Sequence, residues 1–266
     1  MRADFELTKV LVTVKTYPNP SDKHDETVCT AAVTESGDWL RIYPVPYRYL
    51  PVEKQYKKWQ WMEIGLARRG YQNDPRPESR EPEVNSIRLI GEPLPRSNAW
   101  ETRRLIIDKM PHRTLTELMR QWVANRTSLG IIRPAEVLDL EVTEGEKKWA
   151  PKHEARMAQP LLFGKRKPLH RIPFRFHYVF RCLDQKEPHR LLLEDWELGA
   201  LFLRERESKG ENAAVQSVKQ KFLDDLCGPD KDTRFFVGTR HPLNQWLVIG
   251  LFYPPKKPAS GLPLFS

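Results

Sequence analysis

The run ETVCTAAVTESGDWLRIYPV, residues 26–45, most narrows what this chain can fold into. Two stretches dense in β-branched and aromatic residues, 26–36 and 39–45, are separated by the turn formers of ESGD (35–38), which predicts an antiparallel hairpin. A second hairpin is predicted near the far end, from RFFVGT (234–239) and QWLVIGLFYPP (245–255). Further strands are expected over KVLVTVKTY (9–17), WQWMEIGLARR (59–69), AEVLDLEVTE (135–144) and IPFRFHYVFRC (172–182). Helical patterning covers NAWETRRLIIDKM (98–110), TLTELMRQWVANR (114–126) and NAAVQSVKQKFLDDLCG (212–228), and Thr114 and Glu117 stand at capping-box spacing. HRLLLEDWELGALFLRERES (189–208) starts as a strand and turns helical at Asp195, where a first-turn acid belongs. VEKQYKKW (52–59) holds one short helical turn, and YQNDPRPESREPEV (71–84), with three prolines, is expected to be a long irregular loop.

Strands and helix pairs do not alternate as βαβ units, so the expected class is α+β, with a mostly antiparallel, barrel-like sheet and flanking helices. The expected organisation is a β-rich region with a helix pair over 1–145, a basic α+β region packed on it over 146–255, and a tail over 256–266. No apolar run approaches the roughly 20 residues of a membrane helix, and acids near the N-terminus break any secretory pattern, so a cytoplasmic protein is expected. Cys29, Cys182 and Cys227 show no CxxC spacing and read as reduced thiols.

The chain of 266 residues carries a formal charge of +9, which points to a polyanionic partner. Between Lys147 and Arg181 ten Lys or Arg stand against one acid, Glu154, with six aromatic residues interleaved. In WLRIYPVPYRYLP (39–51), Arg41, Tyr43, Tyr47 and Arg48 are placed to form a rim that stacks bases and clamps phosphates, the alternative being rings that pack a barrel end. Arg76, Lys165, Arg166, Lys167 and Arg175 extend the same expected nucleic-acid surface.

Carboxylates decide between a reader and an enzyme. Glu26 enters a strand beside His24, and Asp74 and Glu78 sit in the proline-stiffened DPRPES (74–79), so these three are the candidate catalytic acids. Each also has a structural reading, as a surface partner of Lys23 or as part of a mixed-charge turn. Asp195 and Glu197 of EDWE read as helix-start acids. Cys182 and His189 offer two metal ligands without a second pair, and Cys29 reads as core, so no cofactor or metal is expected. No P-loop, GxSxG, HExxH or Rossmann fingerprint is present.

The stretches VKTYP (14–18), ETVCTAAV (26–33), WLRIYPVPYR (39–48), DPRPES (74–79), EDWELGAL (194–201) and VGTRHPLNQWLVIGLFYPP (237–255) resemble a bacterial family of about this size known mainly as uncharacterised reading frames. The resemblance spans nearly the whole chain and transfers no catalytic residue. The tail GLPLFS is similar to the Leu-Phe-ended peptides that dock bacterial repair and replication proteins on the sliding clamp. That likeness implies such a contact through Leu262, Leu264 and Phe265, although Gly261 stands where those peptides carry glutamine.

Together these features predict a DNA-acting protein, with a metal-independent DNA glycosylase as the leading expectation. Such an enzyme flips out a modified or damaged base and needs only a carboxylate at the sugar, in repair or in defence against phage. A metal-dependent nuclease and a non-catalytic reader of modified DNA or RNA are the alternatives.

Overall fold

The architecture comes from a computed structural model, which describes residues 4–21, 26–67, 74–159, 167–240, 242 and 245–257. The front half supplies strands β1 (Phe5–Lys15), β2 (Asn19–Pro20), β3 (Glu26–Thr34), β4 (Trp39–Val45), β5 (Trp61–Ala67), β6 (Ser79–Arg80) and β7 (Pro82–Ile90), then helices α1 (Ser97–Ile107) and α2 (Leu115–Asn125). The rest supplies β8 (Leu129–Ile132), β9 (Glu136–Glu144), α3 (Pro151–Ala158), β10 (Phe174–Arg181), β11 (His189–Leu192), α4 (Trp196–Lys209), α5 (Glu211–Lys219), β12 (Arg234–Arg240) and β13 (Gln245–Phe252).

The first sheet runs β6-β4-β3-β1-β5-β7, with β2 beside β3. Its centre is β1, whose last six residues are all buried, so this strand is covered on both faces. Val10 and Val12 enter a core with Ile42, Tyr56 and Met62. Leu11 and Val14 enter a second core. A register shift between Val12 and Val14 lets the strand serve both. The predicted hairpin forms as β3 and β4, with Ala31 opposite Arg41 and Thr30 opposite Ile42. Gly37 turns between them at φ 91°, which a side chain would oppose.

Two three-stranded sheets follow, β11-β10-β9 and β13-β12-β8. Apart from the short β4–β6 contact, the strand pairs are antiparallel, and the class is α+β. The first sheet ends at β6 and β7 instead of closing into a barrel. The second core joins the front and back halves: Leu11, Val14, Trp59 and Trp100 pack with Ile131, Phe236, Ile249 and Phe252.

Several expectations are corrected in detail. The irregular loop expected over 71–84 is shorter, because Ser79–Arg80 and Pro82–Ile90 are strands. β7 pairs only with β5, and an edge strand tolerates the proline and charges that disguised it. Within α1, Asn98, Ala99 and Trp100 adopt left-handed angles. β8 is too short to announce itself, and α3 begins at Pro151, a residue suited to a first helical position. β8 and β9 hydrogen-bond to β12 and β10, so their ladders join the back half of the chain. The rings of Phe176, Tyr178 and Phe180, interleaved with arginines in the sequence, are buried, and Tyr178 stacks on Phe235. No helix among the described residues is long and apolar enough to cross a membrane.

Candidate nucleic-acid interface

A cleft of about 690 Å³ opens where the front sheet meets the β12–β13 hairpin. Alternation puts Thr27 and Cys29 of β3 and Arg41 and Tyr43 of β4 on its wall. Asp74 and Arg76 enter from the segment before β6, Thr239 and Arg240 from the end of β12, and His153 from α3.

Arg41 is 3% exposed. Its Nη2 donates to the Ser128 carbonyl and hydroxyl at 3.1 Å each, and Nη1 donates to Cys29 Sγ at 3.4 Å. Its Nε has no hydrogen-bond partner, and among the described residues Arg41 makes no ion pair. Burial lowers its pKa from the ordinary arginine value. Glu78 reaches it only indirectly, by accepting from the Ser128 backbone N–H (2.8 Å) and hydroxyl (2.9 Å).

Asp74 grips Arg76 through two parallel bonds, Nε to Oδ1 at 2.7 Å and Nη2 to Oδ2 at 2.6 Å. Burial raises the Asp74 carboxyl, but the hydrogen bonds from Arg76 outweigh it and, with the Arg76 charge, hold the group below the usual carboxylate range. Arg76 Nη1 then crosses the seam to the Thr239 carbonyl at 2.8 Å. Arg240 pairs with Glu194, and its own guanidinium is lowered by burial and by the nearby charge of Arg175. Among the described residues the Thr239 hydroxyl has no partner.

The other candidate residues lie elsewhere. Glu26, 4% exposed, accepts from Arg48 Nε at 2.6 Å and from Arg48 Nη2 at 2.5 Å, so both its oxygens are engaged. Arg48 also donates to the carbonyls of Lys167 and Pro168, at 2.7 Å each, and so staples that segment to β3. Tyr47 is no rim residue: it is 7% exposed, packs against Tyr56 and Trp196, and donates to the Tyr56 carbonyl at 2.6 Å. Lys15 Nζ sits 4.1 Å from the Tyr47 ring centre, and burial, with Lys58 nearby, pushes its pKa down to about 8. Lys167 is exposed and Nζ donates to the Arg48 carbonyl at 2.5 Å, while Arg175 is exposed at the strand end. Lys165, Arg166 and the tail residues Leu262, Leu264 and Phe265 fall outside the described residues.

Of the named set, then, the fold brings Arg41, Tyr43, Asp74 and Arg76 together. Cys29, expected in the core, is half-buried on the cleft wall. Thr239, Arg240, Glu194 and Ser128 were not foreseen, since each acts through partners distant in sequence. No group of three or more His, Cys, Asp or Glu among the described residues has metal-binding geometry. His189 faces Gln185 and the Phe180 ring, while burial raises the Cys182 thiol.

A family model described as a domain of unknown function (DUF8757) matches residues 111–265, and another so described (DUF8758) matches residues 6–109. Among curated proteins nothing matches. Among solved structures, the chain is similar to the p204 HINb domain, with a TM-score of 0.35, 10% identity and coverage of 96% of this chain and 98% of that one. It is similar to the tetrameric p202 HIN2, at 0.32, 7%, and 97% and 96% coverage. A third is a murine DNA-binding protein bound with double-stranded DNA, at 0.34, 10%, and 96% and 99% coverage.

Proposed function

We propose, for a chain that belongs to the family described as a domain of unknown function (DUF8757), that it is a DNA-binding protein which draws one nucleotide of its partner into the cleft and reads it without cutting. The observation that carries this reading is the cleft itself, which has in its wall a buried arginine without an ion pair among the described residues, and Tyr43 two residues on along the same strand. A volume of about 690 Å³ lies within the range that holds a small ligand. The +9 charge of the chain supplies sequence-independent attraction to the phosphate backbone.

Reading is favoured over base excision by the state of the acids. A glycosylase needs a carboxylate free to orient water or to face the charge that develops at the sugar. Glu26 is held by Arg48, Asp74 by Arg76, and Glu78 by Ser128. Excision or metal-assisted cleavage requires one of these to break away, and the same experiment tests for both.

The test measures anisotropy of labelled DNA, normal and modified, across a salt series. In parallel, free bases are sought by mass spectrometry and strand breaks by gel, with and without EDTA. The expected result is affinity that falls steeply with salt and no product from any substrate. Release of a free base would restore the glycosylase reading, EDTA-sensitive nicks would restore the nuclease, and salt-independent or absent binding would end the proposal.

A further inference from the structure

Three arginines, Arg41, Arg76 and Arg240, and two acids, Asp74 and Glu194, line the cleft, so three positive charges against two negative leave one positive. Asp74 neutralises Arg76 and Glu194 neutralises Arg240. The remaining positive charge is Arg41, whose hydrogen-bond partners among the described residues are a thiol, a carbonyl and a hydroxyl, and which the Glu78 carboxylate reaches only through Ser128. A buried guanidinium without a direct ion pair is costly, and an anion that meets it offsets that cost.

In this cleft two further atoms have no partner among the described residues: Arg41 Nε and the Thr239 hydroxyl, on residues that are each 3% exposed. Buried polar groups are usually satisfied, so two orphans in one cleft mark a place where something else completes the bonding. Both atoms are shielded from water, so solvent does not compete for them. A β-carbon at Gly238 would stand 3.3 Å from Arg41 Nη2 and 3.0 Å from Leu129, so the guanidinium packs directly on the β12 backbone.

We infer that Arg41 and Thr239 form an anion subsite in the wall of the cleft, and that its ligand is a phosphate carried by a nucleotide. The source of that phosphate is a free nucleoside monophosphate or the phosphorylated end of a strand, which the arms of the experiment separate, with the ring outward along Tyr43. The inference rests on the reading that the cleft receives a nucleotide.

The experiment follows thermal stability and calorimetric binding with deoxynucleoside 5′-monophosphates, the matching nucleosides and inorganic phosphate. It then compares oligonucleotides ending in 5′-phosphate, 3′-phosphate or hydroxyl. Monophosphates are expected to raise Tm in a saturable way and nucleosides to leave it unchanged. Phosphorylated ends binding more tightly than hydroxyl ends would identify the strand end as the source, and free monophosphate alone would identify the small molecule. Thr239→Val keeps the shape and removes the orphan hydroxyl. It should raise the Tm of the unliganded protein while weakening monophosphate binding about tenfold, a split that a merely structural threonine would not give. Arg41→Gln should abolish monophosphate binding, and Thr239→Val answers the question if that variant fails to fold. Equal binding of nucleosides and monophosphates, binding of inorganic phosphate alone, or unchanged affinity in Thr239→Val overturns the inference. If duplex DNA still binds with a steep salt dependence in that event, the DNA-binding reading survives it. If monophosphates bind and duplex does not, the reverse holds.

Discussion

Replacing Lys58 with methionine tests the seam between the two halves of the chain. Its ammonium lies 3.2 Å from Asp195 Oδ2 and 3.1 Å from Glu197 Oε2. The side chains of Lys58 and Asp195 are 8% and 1% exposed, while Glu197 is 46% exposed. Burial lowers the pKa of Lys58, and the two acids outweigh it and hold the amine above its usual value. Methionine fills nearly the same volume, so little cavity is created and the loss is electrostatic. Removing one member of a buried pair leaves the other charge uncompensated, at a cost of roughly 3–5 kcal/mol. At roughly 2–4 °C per kcal/mol for a domain of this size, Tm should fall on the order of 10 °C. Burial already raises Asp195 in the native protein, and without Lys58 it rises further. A carboxyl raised in the folded state favours folding at low pH, so the deficit should shrink as pH falls through that raised value toward the unfolded value of about 3.9. Urea unfolding of Lys58→Met is compared with Lys9→Met, whose exposed pair with Glu35 should matter by less than about 1 kcal/mol. Adding Asp195→Asn to Lys58→Met should restore most of the stability, since the amide still caps α4. Equal losses in Lys58→Met and Lys9→Met would refute the reasoning.

Two other outcomes follow from the geometry. Lys15, pushed down to about 8 from 10.5, is neutral in the folded state and protonated in the unfolded state between those values. Its contribution therefore makes stability rise with pH across that window, by up to about 1.4 kcal/mol per pH unit. Cys227, pushed up to about 12, acts in the opposite sense, so the measurement is the stability difference between wild type and Lys15→Met in denaturant from neutral to alkaline pH. Curves that stay parallel count against the assignment. Gly199→Ala in α4 would normally gain about 1 kcal/mol of helix propensity. Here the new β-carbon would stand 2.2 Å from Tyr17 Cδ2, so overpacking of about 1–3 kcal/mol should dominate and lower Tm, and a rise in Tm would contradict the packing.

Features set by near neighbours were legible in the sequence. Thr114 and Glu117 do form a capping box, Asp195 does cap α4 by accepting from the Glu197 N–H at 2.7 Å, and β3 and β4 do form a hairpin. Features set by distant partners were not. Arg41 and Arg48 look alike in WLRIYPVPYRYLP, yet one lines the cleft and the other is locked to Glu26, because their partners come from elsewhere in the chain. Arg41 meets Ser128 at a separation of 87 residues, and Arg76 meets the Thr239 carbonyl at 163. Composition signalled arginines beside aromatic rings. It carried no sign of which rings would be buried, and Tyr47, Tyr178 and Phe180 all went to the interior.

The seam explains how one set of residues serves both folding and the cleft. Residues 6–109 and 111–265 match separate family models, but buried polar contacts cross between them: Lys58 to Asp195, Arg104 to Asp232 at 2.8 Å, Arg76 to Thr239, and Arg41 to Ser128. Three of these use a charge balanced across the contact or by a neighbouring acid, which fixes geometry without leaving a field in the cleft. Arg41 makes no direct ion pair among the described residues, Glu78 being joined to it through Ser128, and it sits where the two segments form the wall together. A cleft of this kind exists only when both segments are folded and docked, so anything that loosens the seam removes the site before it unfolds either sheet. Buried charge is also weakly screened by salt, whereas the exposed lysines and arginines of the 147–181 region are strongly screened. Two components of binding should therefore separate by ionic strength: a salt-sensitive one from the basic surface that gathers a polyanion, and a salt-resistant one from the cleft that selects what is held.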